Sequence, residues 1–159
     1  MSTTEAMAIS HSFAPVGELC RRAVAFSAPS KPGTVSHIRR RVRRFARSMN
    51  FTQIDLDDIS IAVGEAATNA LRHGYDPDHA FIGIRIEDRV NSLRVSISDS
   101  GPGFDPASVC PPCPGELREG GRGIMCMRAL MDDVQFTNLN PGTQVDMLKF
   151  VADERCGVR

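Results

Sequence analysis

The spacing of apolar residues changes period along this chain, and that change limits its fold more than any other feature. From residue 34 to residue 74 apolar side chains recur every three to four positions, whereas from residue 80 they mostly alternate with polar ones. Helices bury one stripe and half-buried strands bury every second residue. A chain that makes two helices, then strands, with one more helix between the strands, is expected to be α+β. The predicted architecture is a two-layer α/β sandwich with a mostly antiparallel sheet and helices on one face.

Residues 1–21 are small and polar with weak periodicity and read as a tail. Arg22-Ala23-Val24-Ala25-Phe26 alternates and stops at Pro29, as a short strand does. After Lys31-Pro32-Gly33 the spacing of Val35, Ile38, Val42, Phe45 and Ala46 predicts a helix to about Asn50. A second helix begins at Asp55 as its cap, has Asp57 and Asp58 at the positive end of its dipole, and ends at Gly74. Its stripe is Ile59, Ala62, Val63, Ala66 and Ala70. Residues 80–87 and 93–99 alternate around a hairpin turn at 88–92. A helix is predicted from Gly123 through Ile124, Met127, Leu130 and Met131. Two last strands, Val134–Thr137 and Thr143–Phe150, flank a turn at 138–142. No internal repeat appears, so residues 22–151 are expected to form one domain, with 152–159 a short tail.

The 159 residues, 42% of them hydrophobic, suit a single globular core. Lys+Arg and Asp+Glu are 19 each, so no global charge draws the chain to nucleic acid or to a membrane. Residues 1–20 lack the basic start and apolar run of a secretory signal, and no stretch has the roughly 20 apolar residues that span a bilayer. A cytoplasmic location is expected. Five cysteines, an odd number, fit reduced thiols better than a disulfide framework. Cys110-Pro111-Pro112-Cys113 lacks the second pair a tetrahedral zinc site needs, and its prolines oppose the helix a redox motif opens, so it reads as a stiff lid segment.

Three local patterns carry chemistry. Asp58, Glu65 and Asn69 lie at the rim of the second helix's apolar stripe, where a helix resting on a sheet points its side chains into a cleft. Alone, Glu65 and Asn69 would be an ordinary surface pair. Asp99-Ser100-Gly101-Pro102-Gly103 puts a carboxylate at a strand end before a glycine turn, and alone it signals only a turn. Gly120-Gly121-Arg122-Gly123 opens a helix whose bare amides and positive dipole end can face phosphate, without the Gly-Lys-Ser/Thr of a Walker loop. Together they describe a nucleotide site spread over residues 65 to 143. Residues 100–121, rich in Gly and Pro, are long enough for a functional lid.

With these patterns the chain resembles the ATP-binding fold shared by gyrase, the 90-kilodalton heat-shock chaperones, histidine kinases and mismatch-repair ATPases, the GHKL superfamily with its Bergerat fold. It is most similar to the anti-sigma-factor serine/threonine kinases, through the wording Glu65-Ala66-Ala67-Thr68-Asn69-Ala70, the ending His73-Gly74-Tyr75, and Met127-Arg128-Ala129-Leu130-Met131-Asp132-Asp133-Val134. The resemblance implies ATP and Mg2+ as cofactors, Glu65 as the base that takes a proton from an attacking hydroxyl, and the Asn69 side-chain oxygen as metal ligand. It implies that Asp99 accepts a hydrogen bond from adenine's exocyclic amine, and that Gly101 and Gly103 let backbone approach the base. Gly121, Arg122 and Gly123 would lie at the phosphates, and Thr143 would help hold the adenine. Arg122 stands where many relatives carry an apolar residue, and whether it meets phosphate, a partner or solvent stays open.

The implied function is that of an anti-sigma factor and protein kinase, which binds a sigma factor and phosphorylates a small antagonist protein. The implied assembly is a homodimer, with no direct nucleic-acid or membrane contact. The alternative is the ATP-binding module of a two-component histidine kinase, or an ATP-driven switch. His73 is expected to serve packing or hydrogen bonding. Arg39, Arg43 and Arg47, at i, i+4 and i+8 on the arginine-rich first helix, form either a solvated face or a stripe that docks an acidic partner.

Overall fold

The computed structural model of the chain describes residues 20–73, 81–103 and 121–152. Eight elements follow in the order β1 (Cys20–Pro29), α1 (Thr34–Ala46), α2 (Gln53–His73), β2 (Phe81–Arg89), β3 (Ser92–Ser98), α3 (Arg122–Leu130), β4 (Asp133–Asn138) and β5 (Thr143–Phe150). The five strands form one sheet in the order β1-β2-β3-β5-β4, every neighbouring pair antiparallel. This is the α+β sandwich that the change of period predicts. Among the described residues no helix is long and apolar enough to cross a membrane.

Alternation aligns the strands side by side. Ile84 pairs with Ile97 and Ile86 with Val95, and across the next ladder Val95 pairs with Met147 and Ile97 with Val145. One sheet face thus presents aligned rows of apolar side chains. Against them lie Ile38, Val42 and Ala46 of α1, Ile59, Ala62, Val63, Ala66 and Ala70 of α2, and Met127 of α3, all buried. Each large aliphatic side chain buried here stabilises the fold by about 1.5–3 kcal/mol. Small alanines along α2 let this helix sit close to the sheet, and its polar rim is carried inward with it.

The opposite face of the sheet is polar. Arg94 reaches Asp146 at 3.0 Å, and Asp146 also accepts hydrogen bonds from Ser96 and Gln144. Glu87 lies between Arg85 at 2.7 Å and Arg89 at 2.9 Å. Burial pushes the Glu87 carboxyl up, but hydrogen bonds from the two guanidiniums outweigh it and hold the group below the usual Glu range.

The ends of three elements depart from expectation. β1 starts at Cys20, two residues before the predicted strand. α1 ends at Ala46 instead of near Asn50, because the chain turns there through bonds from Ser48 N–H to Phe45 O and from Met49 N–H to Ala46 O. Asp55 is not the cap of α2. The Thr52 hydroxyl accepts from the Asp55 N–H at 3.1 Å, and the Asp55 carboxylate accepts from the Thr52 N–H at 2.9 Å, so Thr52 caps and Asp55 closes a reciprocal box. The Thr-x-x-Asp spacing was the signal for it. Gly74, the predicted stop, lies outside the described residues, as do Tyr75, Gly120 and the Cys110–Cys113 segment.

Candidate nucleotide site

The site is built along the C-terminal half of α2, where sheet ends, glycine turns and the start of α3 converge. Glu65 and Asn69, one helical turn apart, are both half-buried at the rim of α2's apolar stripe. α3 crosses this rim at Gly123. A Cβ at position 123 would stand 2.9 Å from Glu65 Oε2, 3.5 Å from Asn69 Nδ2 and 3.7 Å from Asn69 Oδ1. The Gly123 backbone therefore lies closer to the carboxylate than a Cβ could without moving the Glu65 side chain, and within ordinary contact range of the amide. Gly121 enters the helix with φ 97°, a left-handed conformation suited to glycine, and no side chain caps the α3 N-terminus. Bare amides and the positive dipole end thus lie beside Glu65 and Asn69. Arg122, the first residue of α3, is exposed.

The other wall is the turn after β3. Asp99 Oδ1 accepts hydrogen bonds from the Gly101 N–H at 2.9 Å and the Thr143 N–H at 3.3 Å, and the Asp99 N–H donates to Thr143 O at 2.9 Å. One carboxylate oxygen is thereby fixed by two backbone donors, and Oδ2 has no such bond among the described residues. Gly101 is buried, and a Cβ there would overlap the His73 carbonyl oxygen at the end of α2. Gly103 has φ 89° and Gly142 φ 113°. A Cβ at Gly142 would overlap the Asp99 carbonyl oxygen, so the β4–β5 turn is pressed onto the Asp99 turn by the lack of one atom. We predict that Gly142→Ala, which combines overpacking with a left-handed φ, lowers folding stability by about 2 kcal/mol. Urea denaturation tests this, and a loss under about 0.5 kcal/mol would show that the turn can move away.

The nine residues that the resemblance assigns to the site, Glu65, Asn69, Asp99, Gly101, Gly103, Gly121, Arg122, Gly123 and Thr143, thus fall along one line. It runs from the start of α3, over the α2 rim and its C-terminus, to the ends of β3 and the β4–β5 turn. Two rim residues have other roles. The His73 side chain is exposed, and its contribution is the backbone carbonyl that Gly101 abuts. Asp58 lies 3.4 Å from Lys149 Nζ, which also donates to Leu130 O at 2.8 Å and lies 3.8 Å from Asp55. Lys149 ties α2, the end of α3 and β5 together behind the site, and nothing in its local sequence marked it. Cys126 sits on the same side of α3. Burial, with the charges of Glu65 and Asp58, raises its thiol above the usual range, so it stays protonated at neutral pH.

The arrangement fits a nucleotide and its cation. A carboxylate and an amide oxygen stand beside bare helix amides, and an oriented carboxylate stands beside backbone that glycine leaves open. Among the described residues no group of three His, Cys, Asp or Glu side chains forms a metal cage of its own. Mg2+ needs none, because it takes one or two protein oxygens alongside phosphate and water.

The histidine kinase-like ATPase domain family matches residues 28–149, which contain every one of these elements except most of β1 and the last residue of β5. The chain belongs to that family. Among curated proteins it is 33% identical over 141 residues to the serine-protein kinase RsbW of Bacillus licheniformis, covering 83% of this chain and 88% of that protein. To the RsbW of Bacillus subtilis strain 168 it is likewise 33% identical, with the same shares covered. Oceanobacillus iheyensis RsbW is 34% identical over 82% of this chain and 88% of its own. Among solved structures, the RsbU and RsbW domains of a Mycobacterium tuberculosis protein superpose with TM-score 0.56 at 16% identity, over 81% of this chain and 32% of that longer one. A mycobacterial sensor histidine kinase, MprB, gives 0.50 at 14% identity over 80% and 97% of the two chains. At such identities these two likenesses speak for the fold alone.

Proposed function

We propose that this family member is a serine/threonine protein kinase and anti-sigma factor, which binds a sigma factor and uses Mg-ATP to phosphorylate a small antagonist protein. The observation that carries the reading is the close approach of Gly123 to Glu65 and Asn69, which joins a base, a cation ligand and a phosphate-binding helix end in one place. It stands in a chain about one-third identical to proteins named serine-protein kinase RsbW.

In this reading Asp99 accepts adenine's amine through its carboxylate, with Gly101 and Gly103 giving the base room and Thr143 holding the turn beside it. Gly121, Arg122 and Gly123 face the phosphates. The Asn69 oxygen would hold Mg2+, which would supply charge neutralisation at the transferring group. Glu65 takes the proton of the antagonist's Ser or Thr hydroxyl as its oxygen bonds to the γ-phosphorus. The bond from that phosphorus to the bridging oxygen breaks, and ADP leaves.

Incubating the purified chain with radiolabelled ATP and candidate antagonists tests the reading. Acid-stable label on a Ser or Thr of the antagonist is the expected result. Acid-labile label would instead mark the chain as a histidine-kinase module, and no transfer to any antagonist would overturn the kinase assignment.

A further inference from the structure

We propose that the exposed stripe His37, Arg40, Arg44 and Arg47 on α1 docks an acidic helix of a partner protein. The inference goes beyond the kinase reading and does not depend on it.

The structure divides the arginines of α1 into two sets. Arg39 Nε donates to Ser60 Oγ at 3.3 Å, and its Cδ would stand 3.2 Å from a Cβ at Gly64. Arg43 Nη1 donates to Leu56 O at 2.9 Å and to Asp57 at 2.6 Å. Arg41 lies over the Phe26 ring at 3.7 Å. These three are used in holding α1 to α2 and to β1, so the stripe predicted from sequence, Arg39, Arg43 and Arg47, loses two of its members to internal contacts. Arg40, Arg44 and Arg47 are exposed and have no side-chain hydrogen bond or ion pair among the described residues.

With the exposed His37 they lie at i, i+3, i+7 and i+10, one face of a helix, over about 15 Å. A groove follows this face, lined among the described residues by the same four with Arg41 and Arg43. Among the described residues no carboxylate lines it, although the chain as a whole has zero net charge. The helix dipole favours cations only in the last turn and does not account for Arg40. Arg40 and Arg44, at i and i+4, repel each other, so in the free chain the stripe weakens α1 slightly. An acidic partner removes that repulsion.

A helix with carboxylates at the same spacing matches the length and the charge of the stripe. A broad polyanion such as duplex nucleic acid fits less well. Asp57, in the first turns of α2, lies on Arg43 with its side chain half exposed. Phosphates reaching past Arg43 meet the Asp57 carboxylate.

The test measures binding of the whole chain to fluorescein-labelled poly-L-glutamate and to a labelled mixed-sequence DNA duplex, by anisotropy at about 50 mM and about 300 mM salt. Poly-L-glutamate is expected to bind at the lower salt and to weaken at the higher. Arg40→Glu with Arg44→Glu should lower that affinity roughly tenfold or more, while Arg21→Glu with Arg128→Glu, the same charge change at other exposed sites, lowers it under about threefold. Arg40→Gln with Arg44→Gln should fall between, and unchanged circular dichroism checks the fold of each. Equal losses in the two Glu pairs, no binding of poly-L-glutamate at low salt, or tighter binding of the duplex through Arg40 and Arg44 would each overturn the proposal.

Discussion

Glu65→Gln is expected to bind Mg-ATP with an affinity close to that of the unaltered chain and to transfer phosphate about 10²–10⁴-fold more slowly, the usual loss when a general base is removed. The substitution keeps the shape that Gly123 rests against and exchanges one carboxylate oxygen for an amide. Glu65 makes no ion pair or hydrogen bond among the described residues, so its loss leaves no partner stranded and the fold should hold. Asn69, which the proposal assigns to the cation, is untouched. Calorimetry for nucleotide binding and single-turnover transfer of label separate the two effects. A variant that transfers at the original rate rules Glu65 out as the base. One that fails to bind ATP places the residue in binding instead.

Asp99→Asn should cost ATP about 10²-fold in affinity and leave the weak binding of GTP unchanged or slightly improved. The amide oxygen can take over the bonds that Oδ1 accepts from Gly101 and Thr143, so the turn keeps its geometry. The amino group then stands in the place of Oδ2 and meets adenine's exocyclic amine, donor against donor. A charge-assisted hydrogen bond is lost and a polar group is left unsatisfied, each worth about 1–3 kcal/mol. Guanine presents an acceptor at that position and gains from the change. Calorimetry with both nucleotides measures the difference, with thermal unfolding as the control. Equal weakening of ATP and GTP, or of neither, removes Asp99 from the base pocket.

The charges of α1 show where reading along a chain stops. Arg39 and Arg43 belong to the same helical stripe as Arg47, and nothing local separates them. Only the packing of α1 on α2 brings Ser60, Leu56 and Asp57 within reach and ties two of the three to α2. The α2 start shows the reverse. Thr52 and Asp55 satisfy each other's backbone over three residues, so that information was local, and taking Asp55 alone as the cap overlooked a pattern already present.

What the sequence by itself determined is whatever rests on neighbours a few residues apart. The 3.6-residue period of α1 and α2 and the two-residue period of β2, β3 and β5 set the element types and the buried faces, and with them the α+β sandwich. The residue types of the candidate site were equally plain. Their meeting was not, because Glu65 and Gly123, Gly101 and His73, Asp99 and Gly142 are separated by tens of residues. Their contact depends on where α3 and two turns come to rest once the apolar faces are buried. Tertiary structure decided that three glycines would let backbone lie against a carboxylate, a helix end and a strand end. It also decided that Lys149 would clasp the elements behind them, since such approaches are fixed by the closing of the core and leave no periodic trace in the chain.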